Sequence, residues 1–293
     1  MHRRPPWFSA EQFPYRSQWV DIAGHTVHYV DEGEGPTLLL LHGNPMWSFL
    51  YRRMIAGLAD RFRCIALDYP GFGLSTARPG YGFTAAEHSE VVRRFVIALD
   101  LVDVVVAVQD WGGPIGVGAL QADPGRYRGV IVGNTWAWPA PARFRPFSQV
   151  LGGRITGPLI SERANGFVRG VMPRGFRRRQ LTAEELSMYR GPFMAVASRE
   201  PVRVFPHEIF AARPFLEQLA HRLDMLGDLP SLLLWADGDL AFKQPERERW
   251  QQVLHNRTDY TLHGAGHYWQ DDAGEEASLV VRDWWDRSFT SQG

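Results

Sequence analysis

The chain has 293 residues, of which 45% are hydrophobic and 22% are charged, and its 32 basic residues balance its 32 acidic ones. A net charge of zero argues against binding to nucleic acid or to a membrane surface, since both usually need a basic excess. No apolar run is long enough to span a membrane, and no apolar stretch of a secretory signal follows the basic N-terminus. Cys64 is the only cysteine and cannot form an internal disulfide. These features predict a cytoplasmic globular protein.

Short apolar runs alternate with longer amphipathic segments, which is the pattern of a mostly parallel β-sheet with crossover helices. The predicted strands are residues 26–30, 37–41, 63–67, 104–108, 130–133, 231–235 and 258–262. The predicted helices are residues 47–59, 84–100, 113–122, 246–254 and 275–287. The chain is therefore expected to belong to the α/β class.

The regular spacing of the strands is interrupted after residue 135. The following segment, 136–226, contains nine of the 20 prolines, with helical stretches at 182–190 and 207–226. Because a structureless loop of this length is uncommon in a compact domain, the economical interpretation is a helical insertion. We expect a helical cap at 136–226, inserted into a core formed by 1–135 and 227–293.

The predicted cap is rich in arginine. It contains 14 Arg and 7 acidic residues, whereas the rest of the chain has 18 basic and 25 acidic residues. Arg174, Arg177, Arg178 and Arg179 cluster in the sequence PRGFRRRQ. This arginine cluster is either a solvated surface or a docking surface toward another subunit or an acidic partner. Both interpretations stay open at this point.

Ligands of open α/β sheets bind at the carboxyl ends of the strands, so the residues that follow each strand are the candidates for a site. The polar side chains there are Asn44 after strand 37–41, Asp110 after 104–108, Asp237 and Asp239 after 231–235, and His263 and His267 after 258–262. An acid at a strand-to-helix turn, a second acid after a later strand and a histidine after the last strand follow the hydrolase order of nucleophile, acid and base.

The sequence VQDWGG at 108–113 is typical of a tight turn that carries a nucleophile. Gly112 and Gly113 supply the small residues of the turn, and Asp110 stands where serine stands in the G-x-S-x-G motif. A carboxylate is already ionised at neutral pH and can displace a leaving group from an sp³ carbon, which gives an alkyl ester. The alternative role for Asp110 is the N-cap of the helix predicted at 113–122.

Five motifs together, HGNPMWSFLYR, DYPGFGLS, VQDWGGPIG, LLLWADGD and GAGHYWQDD, resemble those of the haloalkane dehalogenases of the α/β-hydrolase fold. The resemblance extends from about residue 20 to the C-terminus. It implies an eight-stranded, mostly parallel sheet with flanking helices and an inserted helical cap. It also implies that Asp110 is the nucleophile, that His267 is the general base and that Asp239 orients His267, with Asp237 as the runner-up for the acid.

The resemblance further implies a halide site. Trp111 would donate its indole N–H to the departing halide. In that family the second donor is either an asparagine in the HGN segment or a tryptophan in the cap. No tryptophan lies between 139 and 226, so Asn44 would be the second donor here. Some relatives carry a glutamate acid after the preceding strand, where this chain has Asn134, so the chain resembles the subgroup with an Asn–Trp pair and an Asp acid. The backbone N–H groups of Trp111 and Asn44 would form an oxyanion hole, and His42 would shape this loop through hydrogen bonds.

The implied reaction uses no cofactor and no metal. Its partners are a small apolar halogenated substrate, water and halide, with no nucleic acid and no membrane. Association into a homo-oligomer is a further expectation. The arginine cluster and the apolar segment VVRDWWDRSF at 280–289 are the candidate contact surfaces.

An epoxide hydrolase is the closest alternative, because such enzymes share the fold and the Asp nucleophile. They usually protonate the epoxide oxygen with two cap tyrosines, and only Tyr189 lies in the predicted cap. A serine esterase is disfavoured by Asp110 at the nucleophile position. A luciferase-like or non-catalytic member of the fold is the alternative from another class, although non-catalytic relatives usually lack a member of the triad that Asp110, Asp239 and His267 complete here.

Overall fold

An eight-stranded sheet forms the centre of the computed structural model, which describes residues 4–290. The outermost residues of the predicted core, 1–3 and 291–293, lie outside the described residues. The strands are β1 Ser17–Ile22, β2 His25–Glu32, β3 Thr37–Leu41, β4 Arg63–Leu67, β5 Val104–Asp110, β6 Tyr127–Thr135, β7 Ser231–Ala236 and β8 Arg257–Leu262. Their order is β1-β2-β4-β3-β5-β6-β7-β8. The β1–β2 and β2–β4 pairs are antiparallel and the other pairs are parallel, so the predicted mostly parallel sheet is confirmed.

All seven strands predicted from the sequence form, and β3 and β4 have the predicted bounds. The central strands β3, β5 and β7 are buried along nearly their whole length, which is why they consist of apolar runs. β1 was not among the predicted strands. Its residues SQWVDI are mostly half-buried at the edge of the sheet, so no apolar run marks this strand.

Helices cover the sheet and fill the long interval between β6 and β7. The α-helices are α1 Arg52–Leu58, α2 Ala85–Ala98, α3 Gly112–Ala122, α4 Arg145–Gly152, α5 Ala183–Arg190, α6 Glu200–Ala211, α7 Arg213–Ala220, α8 Gln244–Val253, α9 Trp269–Asp272 and α10 Gly274–Trp285. Short 3₁₀ helices are Ser48–Tyr51, Pro124–Arg126, Ala142–Phe144, Met172–Gly175, Gly191–Phe193, Val196–Arg199 and Leu223–Leu226, and π-helical turns are Pro158–Arg163, Phe167–Val171 and Asp286–Thr290. Within residues 4–290, no helix has both the length and the apolar character that a membrane crossing needs.

Residues 136–230, all of which are described, contain no strand. The predicted helical stretch 207–226 is divided between the end of α6, α7 and a 3₁₀ turn. Helix α6 lies over the carboxyl edge of the sheet, where Phe205 stacks on Trp111 with ring centroids 5.0 Å apart. Helix α7 packs on α3, where Gln121 Nε2 donates to the carbonyl oxygen of Leu219 at 3.1 Å. The segment thus leaves the sheet after β6, covers its edge and rejoins the core along α3.

Strands β6 and β7 separate toward the carboxyl edge of the sheet. Their ladder pairs only residues 130–132 with 231–233. Beyond it, Asn134 Nδ2 donates to the carbonyl oxygen of Ala236 at 2.9 Å, and the N–H of Ala236 donates to Asn134 Oδ1 at 2.8 Å. One side-chain amide therefore bridges the two strands where the ladder ends.

A buried ionic network holds the helical segment to the core. Arg52 of α1 donates to Asp271 of α9 at 2.8 Å and to Glu185 of α5 at 2.6 Å. Arg179 donates to the same two carboxylates, at 2.8 and 2.6 Å. The hydroxyl of Tyr189 donates to Asp271 at 2.6 Å. We call these five residues the Arg52 network.

Arg178 ties the same segment to the end of β8. Its side chain pairs with Glu276 and donates to the carbonyl oxygen of His263 at 2.8 Å, and its backbone N–H donates to Asp272 at 2.9 Å. Arg178 is nevertheless exposed and Arg179 is half-buried, so both interpretations of the arginine cluster, a solvated surface and a docking surface, stay predictions. These two side chains bind one part of the chain to another.

The C-terminal segment 280–289 does not present its tryptophans to solvent. Trp284 and Trp285 are buried. The guanidinium of Arg128 lies over the rings of Trp285 and Phe289, at 5.1 and 4.3 Å from their centroids. The aromatic residues of this segment belong to the core, and the homo-oligomer stays a prediction.

The Arg52 network stabilises the ionised form of Glu185. Burial alone would raise the pKa of Glu185, but the backbone N–H of Thr182 and the guanidinium groups of Arg179 and Arg52 outweigh burial and lower the pKa from 4.5 to about 2. A carboxyl group whose pKa is lower in the folded state stabilises the fold above its unfolded pKa. That contribution is lost as the pH falls from 4.5 through about 2.

We expect Glu185→Gln to lower the free energy of unfolding by about 3 kcal/mol at pH 7, because it removes a buried charge from between the buried guanidinium of Arg52 and the half-buried one of Arg179. Glu87→Gln is the matched control. Glu87 forms the same capping box, with Thr84, but pairs with no arginine among the described residues. Urea unfolding should show the large loss only for Glu185→Gln, and its difference from wild type should shrink below pH 4.5. Equal losses in the two variants would contradict the ionic origin of the effect.

Candidate active site

The ends of four strands bring the predicted site residues to one cavity. Asn44 follows β3, Asp110 ends β5, Asp239 follows β7 and His267 follows β8. These four residues and Trp111 line a cavity of about 670 Å³ at the carboxyl edge of the sheet. Within residues 4–290, no group of three or more His, Cys, Asp or Glu side chains is arranged to hold a metal ion.

Asp110 occupies a strained turn at the end of β5. Its φ of +49° lies in the left-handed region that residues other than glycine rarely adopt. The turn is tight because α3 passes close to Thr135, and a Cβ on Gly113 would lie 1.8 Å from the Thr135 hydroxyl oxygen. Helix α3 begins at Gly112 with Trp111 as its N-cap. The alternative of Asp110 as the N-cap is therefore wrong, and its carboxylate lines the cavity instead.

Backbone N–H groups from two loops hold the carboxylate of Asp110. The N–H of Asn44 donates to Oδ2 at 2.8 Å, and the N–H of Trp111 also bonds the carboxylate. The loop after β3 can approach this closely because residue 43 is glycine, since a Cβ there would lie 2.4 Å from Oδ2. The other oxygen, Oδ1, lies 3.8 Å from Nε2 of His267. Oδ2 is thus held by the N–H of Asn44, and Oδ1 faces the histidine.

His267 is paired with Asp239. Nδ1 of His267 lies 2.9 Å from Oδ2 of Asp239. Because an ionised carboxylate only accepts hydrogen bonds, the proton of the neutral imidazole sits on Nδ1, and the lone pair of Nε2 is directed toward Asp110. Asp239 is fully buried, and its second oxygen accepts the N–H of Ala241 at 2.7 Å. The acid is fixed on both sides and so fixes the ring.

The charges of this group of residues depend on each other. Burial raises the pKa of Asp110, while His267 and the backbone N–H groups of Trp111 and Asn44 act in the opposite direction. Burial would lower the pKa of His267, but the carboxylates of Asp239 and Asp110 outweigh it and raise that pKa. The imidazole therefore binds a proton more readily than a histidine in water.

Asp237 and His263, the other acid and the other histidine that follow β7 and β8, pair with each other away from the cavity. His263 Nδ1 lies 2.9 Å from Asp237 Oδ2, and both side chains are exposed. Neither residue lines the cavity. Of the two acids that follow β7, Asp239 is the one that contacts His267.

Trp111 is positioned by two other aromatic side chains. Its ring stacks on Phe205 at 5.0 Å and meets Trp136 edge-on at 4.7 Å. Its indole N–H makes no hydrogen bond to any residue between 4 and 290, and the side chain lines the cavity. An N–H donor without a protein acceptor is thus available beside Asp110.

Asn44 contacts the helical segment through a carbonyl group that a proline leaves free. Asn44 Nδ2 lies 3.4 Å from the carbonyl oxygen of Val202 in α6. In a regular helix that carbonyl accepts the N–H of the residue four positions later, which here is Pro206 and has no N–H. Pro206 therefore makes the Val202 carbonyl available to Asn44.

Gln109 and Phe242 contact His267, and the sequence analysis identified neither. Gln109 Nε2 lies 3.1 Å from Nε2 and 3.4 Å from Nδ1 of the imidazole, which places the amide over the face of the ring. It donates to the carbonyl oxygen of His267 at 3.0 Å. Phe242 stacks on the ring with centroids 5.8 Å apart. The position of Gln109 directly before the predicted nucleophile is a usable signal, whereas nothing in the sequence marks Phe242.

His42 makes the loop hydrogen bonds that the sequence analysis expected. Its Nδ1 lies 2.9 Å from the carbonyl oxygen of Gly43, and its Nε2 accepts the N–H of Tyr69 at 3.1 Å. Complete burial lowers the pKa of His42 to about 4, against the opposing effects of the Gly43 carbonyl and Asp68. The ring is therefore neutral near pH 7 and supports the loop that carries Asn44.

Aromatic side chains of the helical segment form part of the cavity wall. These are Phe144, Phe147 and Phe167. Tyr189 does not line the cavity, because its hydroxyl is committed to Asp271 in the Arg52 network. Tyr268 does line the cavity and donates to the carbonyl oxygen of Asn44 at 3.3 Å.

Known proteins match most of the chain. The sequence profile of the alpha/beta hydrolase fold matches residues 36–149. Haloalkane dehalogenase 2 of Mycobacterium tuberculosis is 40% identical over 272 residues, which are 92% of this chain and 94% of that protein. A cis-3-alkyl-4-alkyloxetan-2-one decarboxylase of Shewanella oneidensis is 26% identical, over 92% of this chain and 88% of that protein. The crystal structure of a haloalkane dehalogenase from Agrobacterium tumefaciens C58 superimposes with a TM-score of 0.84 at 25% identity, covering 93% of this chain and 96% of that one. The resemblance and the fold class predicted from the sequence are thereby confirmed.

We expect Asp239→Asn to lower the pKa of His267, because the negative charge of Asp239 stabilises the imidazolium form. Titration of the histidine ring protons by NMR measures this pKa, with His267→Gln used to assign the signal. Asp237→Asn is the control, because Asp237 contacts His263 and not His267. A shift of the His267 titration in Asp237→Asn, with none in Asp239→Asn, would contradict the pairing.

Proposed function

The chain belongs to the haloalkane dehalogenases of the α/β-hydrolase fold, and we propose that it hydrolyses haloalkanes to alcohol and halide through a covalent ester on Asp110. It is thus a hydrolase that acts on carbon–halide bonds. The observation that carries the mechanism is the carboxylate of Asp110. It stands at the nucleophile turn of a largely apolar cavity, with Nε2 of His267 at 3.8 Å from Oδ1.

In the first step, Oδ1 of Asp110 attacks the carbon that carries the halogen. The carbon–halogen bond breaks as the carbon–oxygen bond forms, and the halide leaves with the electron pair. Oδ1 is the attacking oxygen because Oδ2 is already engaged by the N–H of Asn44. The product of this step is an alkyl ester on Asp110 and a free halide ion.

In the second step, Nε2 of His267 removes a proton from water, and the water oxygen attacks Cγ of the ester. Negative charge then develops on Oδ2, where the backbone N–H groups of Asn44 and Trp111 stabilise it. The intermediate collapses as the bond from Cγ to the alkyl oxygen breaks, and the alcohol leaves with the proton from His267. Asp110, now a carboxylic acid that carries the oxygen of the water, releases its remaining proton to solvent and returns to the carboxylate. Asp239 keeps the imidazole in the tautomer that this step requires.

Trp111 and Asn44 are the proposed halide donors, with Asp239 as the acid. Two N–H donors placed beside the leaving group stabilise charge that appears only as the carbon–halogen bond breaks. The unengaged indole N–H of Trp111 and the amide of Asn44 support this assignment, since the NH2 group of Asn44 has two hydrogens and can donate one to Val202 and the other to a halide. This is the Asn–Trp, Asp-acid pattern.

Residues 136–226 form the proposed cap on a core made of 1–135 and 227–293. The cap supplies cavity wall from Phe144, Phe147 and Phe167 and orients the halide donors from α6. An apolar cap excludes water from the first step, in which a hydrated carboxylate would be a weaker nucleophile.

The epoxide hydrolase alternative receives no support from the site. Cap tyrosines usually supply the acid of such enzymes, and Tyr189, the one tyrosine of the proposed cap, is bonded to Asp271 outside the cavity. Tyr268 lines the cavity from outside the cap, and its hydroxyl donates to the carbonyl oxygen of Asn44. A non-catalytic or luciferase-like function is separated from dehalogenation by whether bromide is released.

We expect the wild-type protein to release bromide from 1,3-dibromopropane and Asp110→Ala to release none, because the alanine has no nucleophile. His267→Ala should carry out the first step and stop, so that the alkyl ester accumulates. Mass spectrometry of the intact protein and of the peptide containing Asp110 would detect the bromopropyl adduct.

His263→Ala is the control for this experiment, since His263 lies at the surface and pairs with Asp237. It should turn over without an adduct. A folded wild-type protein that releases no bromide would overturn the proposed function. Sustained turnover by His267→Ala would overturn the division of the two steps.

We expect Pro206→Ala to weaken bromide binding about fivefold. The new N–H of residue 206 competes with Asn44 for the Val202 carbonyl, so the amide that donates to the halide loses the contact that holds it in position. Quenching of tryptophan fluorescence by bromide measures the affinity. Pro201→Ala in the first turn of the same helix is the control, since an N–H there has no helical acceptor.

A double-mutant cycle with Asn44→Ala separates this effect from the change in cavity shape at Pro206. In the Asn44→Ala background, Pro206→Ala should have little further effect on bromide affinity. Additive losses in the double mutant would show that Pro206 acts independently of Asn44.

A further inference from the structure

Three cationic side chains line the cavity that contains the nucleophile. They are Arg143, Arg174 and Lys243. All three are exposed, whereas His267 and Asp239 are buried or nearly so, so the cations lie toward the opening of the cavity and the reacting groups at its inner end. Among residues 4–290, the only carboxylates in the lining are those of Asp110 and Asp239.

Two of these cations have no carboxylate partner among the residues that the structure describes. Arg143 is paired with Glu246. Arg174 instead donates to the carbonyl oxygen of Gly170, and Lys243 donates to that of Asp239. A carbonyl oxygen satisfies a hydrogen bond without neutralising the charge, so Arg174 and Lys243 leave positive charge at the opening.

Arg174 differs from its neighbours in its pairing, and Lys243 differs from the other basic residues in its type. Arg178 and Arg179, from the same cluster as Arg174, are paired with acidic residues of other helices. Lys243 is the only lysine in a chain that has 31 arginines. Between these cations and Asp110, the cavity wall is dominated by apolar side chains such as Phe147, Val171, Ile209 and Leu240. Charge at the edge of a low-dielectric cavity acts on an ion more strongly than the same charge in open water.

The geometry points to a recognition site for a carboxylate at the end of the substrate that is distant from the halogen, with Arg174 and Lys243 as its binding residues. The preferred substrates are then ω-haloalkanoates, whose alkyl chain lies along the apolar wall. This inference rests on the proposed function, because displacement at Asp110 sets which end of the substrate points inward.

The contact with the carboxylate is the same before and during displacement of the halide. Such uniform binding lowers KM and leaves kcat unchanged. A contact between partly solvated charges changes binding by up to about fivefold. We therefore expect kcat/KM for 6-bromohexanoate to exceed that for 6-bromohexanamide by about fivefold in wild type, through KM, and the preference to diminish at high salt.

Arg174→Gln and Lys243→Gln should each reduce the preference for the carboxylate, and the double variant should bring the ratio of the two kcat/KM values close to one. Lys243→Arg should retain the preference, because it keeps the charge. Arg177→Gln is the matched control from the same segment, since Arg177 does not line the cavity. It should keep the wild-type ratio.

Equal kcat/KM for the two substrates in wild type would overturn the inference and leave the proposed function intact. So would equal losses for both substrates in Arg174→Gln and Lys243→Gln, which would mean that these cations act on the departing bromide. Loss of the preference in Arg177→Gln would likewise overturn it, because the effect would then come from net charge. No bromide from either substrate would count against the proposed function itself.

A binding experiment tests the carboxylate site without turnover. Because Lys243 is the only lysine, acetylation by sulfosuccinimidyl acetate can be followed at this one side chain by peptide mass spectrometry. Hexanoate contains no halogen and cannot react with Asp110. We expect hexanoate to slow the acetylation of Lys243, and hexanamide to have no effect. The absence of protection by hexanoate would overturn the inference whatever the enzyme assays show.

Discussion

The carboxylate of Asp110 must stay ionised in a cavity that favours its neutral form, and much of the surrounding structure serves this requirement. Burial raises its pKa, while His267 and the backbone N–H groups of Trp111 and Asn44 oppose the rise. An apolar cavity suits a haloalkane but disfavours an anion, so the charge needs fixed donors in place of water. Backbone N–H groups and an imidazole supply them without blocking Oδ1. The groups that keep Asp110 charged are the same groups to which the proposed mechanism assigns the second step.

The sheet makes this arrangement possible through close approaches of its loops. Gly43 lets the loop after β3 reach Oδ2 of Asp110, and Gly113 lets α3 start beside Thr135. The hydroxyl of Thr135 donates to the carbonyl oxygen of Asp110 and so supports the strained turn from the neighbouring strand. Asn134 holds β6 to β7 where their ladder has ended. Backbone geometry, more than contacts between side chains, thus sets the positions of the four candidate residues at the strand ends: Asn44, Asp110, Asp239 and His267.

Because backbone geometry at the strand ends positions the site, some of its residues could be predicted from the sequence and others could not. Apolar runs mark β3 and β5 because both faces of these strands are covered, and parallel topology brings the residues after each strand to one edge. Asp110 and His267 could therefore be recognised by their order along the chain. β1 carries no such run and was missed. Gln109 and Phe242 meet His267 by packing between distant segments, which no local pattern records.

The arginine cluster also shows that contacts between distant segments cannot be predicted from local sequence. Its composition suggests a surface, but Arg179 is engaged by Asp271 and Glu185, which belong to separate helices. Helix α9 begins two residues after His267 and carries both Asp271 and Asp272. Asp272 accepts the N–H of Gly266 at 2.7 Å, directly before His267, and also binds the backbone of the cluster. The loop of the base is thus tied to the helical segment by buried carboxylates, and His267 cannot shift relative to Asp239 without disturbing those bonds. The arginines of one cluster therefore have different roles, since Arg178 and Arg179 hold the loop of His267 while Arg174 lines the cavity.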